Sequence, residues 1–115
     1  MLCARIAEDR KGERILVLRM TDLIALTDYF VIAGANNRRH VQAIADEISH
    51  KLKARKVRRL SIEGYEEGNW VLLDYGDVVV HVFDDETRAF YDLEHLWADA
   101  TRARWRAPAP KKGKT

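Results

Sequence analysis

Trp70-Val71-Leu72-Leu73-Asp74-Tyr75-Gly76-Asp77-Val78-Val79-Val80-His81-Val82-Phe83 is two runs of strand-forming residues joined by Gly-Asp. Glycine accepts positive φ at no steric cost, so Gly76-Asp77 suits a two-residue hairpin turn that pairs Trp70 with Phe83. A four-residue loop over 74–77 is the alternative. Side chains alternate between faces along a strand, so the register decides what each face carries. The two-residue turn puts Val71, Leu73, Tyr75, Val78, Val80 and Val82 on one face, apolar throughout, as a core requires. The other face holds Trp70, Leu72, Asp74, Val79, His81 and Phe83. That mixture suits a partner or a covering helix.

Working outward toward the N-terminus, Leu60 to Glu63 forms a short third strand that ends in a loop carrying Gly64 and Gly68. Before it, Val41, Ile44, Ala45, Ile48 and Leu52 recur at helical spacing, with Gln42, Asp46, Glu47, Ser49, Lys51 and Lys53 on the other faces. Acids early and lysines late in this helix suit its dipole. Gly34-Ala35-Asn36-Asn37 is a turn in which either Asn can cap that helix. Tyr29 to Ala33 and Arg14 to Met20 are nearly continuous apolar runs, as expected of strands buried on both faces. Thr21 to Asp28 connects them, and residues 2–9 form a short amphipathic helix broken by Lys11-Gly12.

Toward the C-terminus, Asp84 or Asp85 caps a helix carrying Phe90, Leu93, Leu96 and Trp97. Beyond Ala100 the pattern decays. The domain is expected over 1–100, with a disordered basic Pro/Lys tail over 101–115. Six of the 20 basic residues and none of the 18 acidic ones lie in that tail, leaving 14 basic against 18 acidic residues in 1–100. A mildly acidic body disfavours nucleic-acid binding as its main task, while the tail lysines can add weak, salt-sensitive attraction to ribosomal RNA. The length suits one domain. A single cysteine, Cys3, forbids an internal disulfide and fits a reducing compartment. No signal peptide or membrane-length apolar run is visible, so a cytoplasmic location is expected. Interleaved strands and helices set the class as α/β or α+β with a mixed sheet.

Little in the chain suggests bond chemistry. His40, His50, His81 and His95 lack the close spacing of zinc ligands, so neither a metal nor another cofactor is expected. No nucleophile elbow, Walker or dinucleotide pattern occurs. Asp84-Asp85-Glu86 with Asp74 and Asp77 has the composition of a two-metal phosphoryl-transfer site, but caps and turns account for the same residues. Arg55, Lys56, Arg58 and Arg59 follow a helix C-terminus, where cations complement the dipole. Solvated surface is the default reading there and RNA phosphate contact the minor one. Trp70, Tyr75, Phe83, Phe90, Tyr91 and Trp97 crowd the last third, and Trp and Tyr dominate interface hot spots.

Five blocks together resemble the ribosomal silencing factor family, also called the Iojap family. They are Thr27 to Gly34, Arg39 to Asp46, Glu63-Gly64, Trp70 to Phe83 and Arg88 to Trp97, covering roughly residues 5–100. The resemblance implies an α/β fold with a mixed, roughly five-stranded sheet flanked by helices, in a nucleotidyltransferase-like topology. It implies a non-enzymatic repressor that binds the large ribosomal subunit through ribosomal protein fourteen of that subunit. Docked at the intersubunit face, such a protein blocks small-subunit joining and lowers translation when nutrients are scarce. It also implies a homodimer when free. The alternative is a nucleotidyltransferase-like enzyme using a divalent metal and a nucleotide. The contact is expected from Trp70, Tyr75, Tyr91, Leu72, His81 and Arg39, with Trp70 and Tyr91 as anchors. Departures are a short first helix that suggests a truncated start, Asn37 where Ser is common, no Pro in 56–60, and the tail.

Overall fold

The chain is described by a computed structural model over residues 2–20, 27–91 and 101–102. The elements run α1 (Leu2–Asp9), β1 (Glu13–Arg19), β2 (Tyr29–Ala35), α2 (Arg38–Ala54), β3 (Ser61–Glu63), β4 (Trp70–Asp74), β5 (Val78–Asp84), α3 (Asp85–Tyr91) and β6 (Thr101–Arg102). They make a mixed sheet in the order β3-β4-β5-β2-β1-β6. Among the described residues only β2 and β5 run parallel; the other neighbouring pairs are antiparallel. The five strands expected are all present. The sixth, β6, is two residues long, and its Thr101 and Arg102 lie just past the expected domain boundary. Tail residues 103–115 fall outside the described residues, as do Leu93, Leu96 and Trp97.

The hairpin register is the one a two-residue turn demands: Trp70 faces Phe83, Val71 faces Val82, and so on to Asp74 and Val79. The Tyr75 N–H donates to the Val78 carbonyl at 2.9 Å, closing the loop. Gly76 takes φ +88° while Asp77 stays out of the positive region, the pattern of a type II′ turn, which follows the strand twist. The hydroxyl of Thr27 and the N–H groups of Asp28 and Tyr29 all donate to the Asp77 carbonyl. The turn is thereby tied to the start of β2.

Alternation along the strands splits the core in two. Val17, Val31, Ala33, Ala35, Val71, Leu73, Val80 and Val82 point to one face, where α1 and α2 cover them with Ile6, Val41, Ile44, Ala45, Ile48 and Leu52. Each fully buried aliphatic of this kind is worth about 1.5–3 kcal/mol over exposure. Leu18, Met20, Phe30, Ile32 and Phe83 form a second cluster on the opposite face, with Leu16, Trp70 and Val79 against it.

Three expectations need correction. Gly34 and Ala35 are strand rather than turn, because β5 continues to Asp84 and supplies them with parallel partners. Leu60 stays outside β3 and is 61% exposed. α2 has no acid in its first turn; Arg38, Arg39 and His40 stand there, and only the lysine end, Lys51 and Lys53, follows the dipole. Asn37 provides the cap instead, its side chain accepting the His40 N–H at 2.9 Å.

α3 is held by a buried cation. Asp84 caps it by accepting the Thr87 N–H at 2.7 Å. Arg88, only 1% exposed, then donates to the Glu13 carbonyl at 3.3 Å and the Arg14 carbonyl at 2.7 Å. A buried guanidinium needs such acceptors, since an uncompensated charge in the interior is costly. They are available because β1 breaks register between Glu13 and Leu16, with Arg14 at φ +46°. Gly34 leaves room beside it: a Cβ there would lie 3.1 Å from both the Arg88 Nη1 and the Glu13 oxygen, tighter than an ordinary contact.

Candidate protein-docking face

The second face of the sheet is built from aromatic rings around one histidine. His81 lies diagonally across the hairpin from Trp70, a pairing the register itself sets up. The indole N–H of Trp70 donates to His81 Nδ1 at 3.2 Å. Trp70 also packs on Phe83 with centroids 4.9 Å apart, and Phe30 tilts against His81 at 4.6 Å. His81 is 7% exposed, and burial among these rings pushes its pKa down to about 4. The neutral ring with Nδ1 accepting carries its proton on Nε2, which has no hydrogen-bond partner among the described residues. Its contribution is to fix the indole of Trp70, not to carry charge.

Trp70 itself is half-buried. With Leu72 it borders a shallow depression of about 420 Å³ that Glu63, Gly64, Asn69 and Thr87 complete. Arg39, exposed in the first turn of α2, stands at the same end of the sheet, where β2 and β5 finish and β4 starts. Trp70, Leu72 and His81 therefore come together, whereas Arg39 shares only that end of the sheet, on the helix that covers the opposite face. Tyr91 ends α3; its side chain lies outside the described residues.

Tyr75 does not join them. It packs against the α1–α2 cluster on the first face, at the opposite end of β4. Its neighbours are His50, Lys53, Val57, Arg58 and Arg59, and the shared surface expected of Trp70 and Tyr75 is two surfaces.

Asp74 and His40 have structural hydrogen-bond partners. Asp74 Oδ1 accepts the Gly76 N–H at 2.8 Å, as a turn carboxylate does. His40 bridges two backbones, accepting from Asn36 N–H at Nδ1 and reaching the Arg10 carbonyl at 2.7 Å through Nε2. Cys3 is buried, which raises its thiol to about 11 and keeps it protonated. Among the described residues, no three His, Cys, Asp or Glu side chains converge as metal ligands would. No helix among them is long and apolar enough to cross a membrane.

A family model described as "ribosomal silencing factor during starvation" matches residues 1–115. The chain belongs to the ribosomal silencing factor family. It is 42% identical to the ribosomal silencing factor RsfS of Bacillus subtilis over 89% of this chain and 86% of that one. A crystal structure from Chromobacterium violaceum superposes with a TM-score of 0.81 at 36% identity, covering 98% of this chain and 93% of that one. A mouse protein named for mitochondrial assembly of the ribosomal large subunit is 35% identical over 72% of this chain and 38% of its own length. Membership of the ribosomal silencing factor family gives the chain a translation-regulating role. The silencing factors it matches are named as regulators, not as enzymes.

Sequence reasoning missed Arg88 as the residue that seats α3. In sequence it is one more charge on a helix, and its acceptors are main-chain carbonyls some seventy-five positions away.

Proposed function

We propose that this silencing factor lowers translation by seating the Trp70–Leu72 end of its sheet on ribosomal protein fourteen of the large subunit. Placed at the intersubunit face, a body of this size keeps the small subunit from joining. The chain acts in the cytoplasm, uses no bond chemistry and no cofactor, and pairs as a homodimer when free. Family membership supports the ribosomal target, and the mouse relative's name points to the large subunit.

The observation that carries the proposal is the state of Trp70. Its ring is partly exposed, yet its N–H and one ring face are already engaged by His81 and Phe83. An anchor held in one orientation before binding loses little freedom when a partner covers it. Leu72 extends the apolar contact, and Arg39, exposed in the first turn of α2, is the cation proposed to reach the partner from that end of the sheet.

Co-sedimentation with isolated large subunits tests this. Trp70→Ala should weaken binding by roughly thirtyfold or more, the effect of an interface hot spot of about 2 kcal/mol. Subunits mixed with this variant should join as they do without the factor, and its far-ultraviolet circular dichroism should match the parent. Leu72→Glu, on a half-buried side chain with no hydrogen bond to lose, should weaken binding without disturbing the rings. Full binding by both variants would remove this placement of the contact.

A further inference from the structure

The surface around Tyr75 has a chemistry of its own. Residues 51–59 read Lys-Leu-Lys-Ala-Arg-Lys-Val-Arg-Arg, six cations in nine positions with no acid. Lys51 pairs with Glu47 at 3.4 Å, and Arg59 donates to the Ser49 hydroxyl at 3.0 Å, which holds it beside Tyr75. Among the described residues no ion pair engages Lys53, Arg55, Lys56 or Arg58. Lys53, Arg58, Arg59 and His50 line a depression of about 530 Å³ that Tyr75 and Val57 floor, and no carboxylate lines it.

The density of charge exceeds what helix capping needs. A helix C-terminus carries about half a negative charge, which one or two cations offset. Here six are gathered in nine residues, two in the last turn of α2 and four in the segment that follows it. The backbone is also strained to keep one of them. Lys56 takes φ +62° at the position after the cap where glycine is the favoured residue. Its N–H bonds to the Lys53 carbonyl and that of Val57 to the Leu52 carbonyl, both at 2.9 Å, the two bonds of a Schellman motif.

We propose that this face binds the sugar-phosphate backbone of RNA. Guanidinium groups fork onto phosphate oxygens, the aromatic ring among them offers a base a stacking surface, and nothing lining the depression repels a polyanion. The mildly acidic balance of residues 1–100 as a whole makes the concentration of charge here more selective. That the RNA is ribosomal rests on the function proposed above; the binding itself does not. The site lies on the opposite face and opposite end of β4 from Trp70, so one molecule can engage protein at one end and RNA at the other.

The test is fluorescence anisotropy of an end-labelled single-stranded RNA of about 20 nucleotides, titrated with the full chain between about 50 and 200 mM salt. The parent should bind with a linear salt dependence. Lys53→Gln with Arg58→Gln alters two exposed side chains that hold no structural bond. This double variant should lower affinity roughly tenfold at the low-salt end and reduce the log–log slope by about 1.4, the value for two lost phosphate contacts. The tail lysines are the same in both proteins, so the difference in slope reads this face alone. Absence of binding by the parent overturns the proposal, and so does an unchanged slope in the variant. Equal affinity for a polyglutamate peptide of matched charge overturns it in favour of an acidic protein surface. Trp70→Ala should leave the RNA titration unchanged, so this proposal and the large-subunit reading can fail separately.

Discussion

Trp70 opens β4 and Tyr75 directly follows its last residue, and the two face opposite ways because five positions is an odd step and side chains alternate. Around Trp70 the neighbours are Leu72, Phe83, His81, the polar residues Asn69 and Thr87, and the carboxylate of Glu63. Around Tyr75 they are His50, Lys53, Arg58 and Arg59. One surface sets an aromatic anchor, ordered through a histidine, in a polar rim that includes Glu63; the other is cationic and sits on the aliphatic core under α2. Grouping contact residues by aromatic type merges two surfaces that parity separates. Their supports differ as well. The Trp70 side depends on buried polar groups, the Tyr75 side on packing and a strained helix end.

The largest effect should come from removing the polar support nearest the Trp70 side. Arg88→Ala deletes one of the largest fully buried side chains and strips the Glu13 and Arg14 carbonyls of their donor. Cavity and unsatisfied acceptors together should cost about 4 kcal/mol, read from the midpoint of urea unfolding. Arg88→Lys should recover only part, because an ammonium lacks the planar fork that spans both carbonyls. Full stability in the alanine variant would mean that α3 is seated by other contacts.

Next in size is a pH effect confined to the same side. His81 titrates near 4 when folded, against about 6.5 unfolded. Its neutral form is therefore the folded form. The stability linked to it is complete above about pH 6.5 and is lost as pH falls through that value toward 4, amounting to up to about 3 kcal/mol. His81→Phe keeps a ring in the aromatic cluster and should flatten the unfolding curve between those pH values, at the cost of the Trp70 N–H bond, about 1 kcal/mol. An unchanged slope in that variant would place the acid sensitivity elsewhere and break the contrast between the two sides.

Most of this frame could be read from the chain because it rests on short-range rules. The hairpin register follows from two strand-forming runs and one glycine, and the α2 face from five apolar residues at helical spacing. The Trp70–His81 bond is a diagonal that the register already contained. Other features have no local sign. The break between Glu13 and Leu16 and the burial of Arg88 exist only because α3 returns to the start of β1, and a lone arginine on a helix carries no mark of that. Strand β6 is too short for a periodic pattern. The end of β2 was missed because Gly34-Ala35 has turn composition and only a long parallel partner makes it strand. Tyr75 was legible in parity alone: its register assigned it to the core face, whereas its residue type suggested contact.

The smallest effect runs in the opposite direction. Lys56 holds φ +62° with a full side chain, a conformation that costs an L-residue of order 1 kcal/mol and glycine almost nothing. Lys56→Gly should relieve that strain while adding some unfolded-state freedom, for a net gain of about 0.5 kcal/mol in urea unfolding. The same variant removes one cation from the basic face, so its RNA salt slope should fall by about 0.7. A gain in stability with a loss in RNA binding would mean that the strain is retained for the charge, and would sharpen the division between the two sides. If stability rises and the slope is unchanged, Lys56 makes no phosphate contact and the RNA-binding face is confined to residues lining the Tyr75 depression.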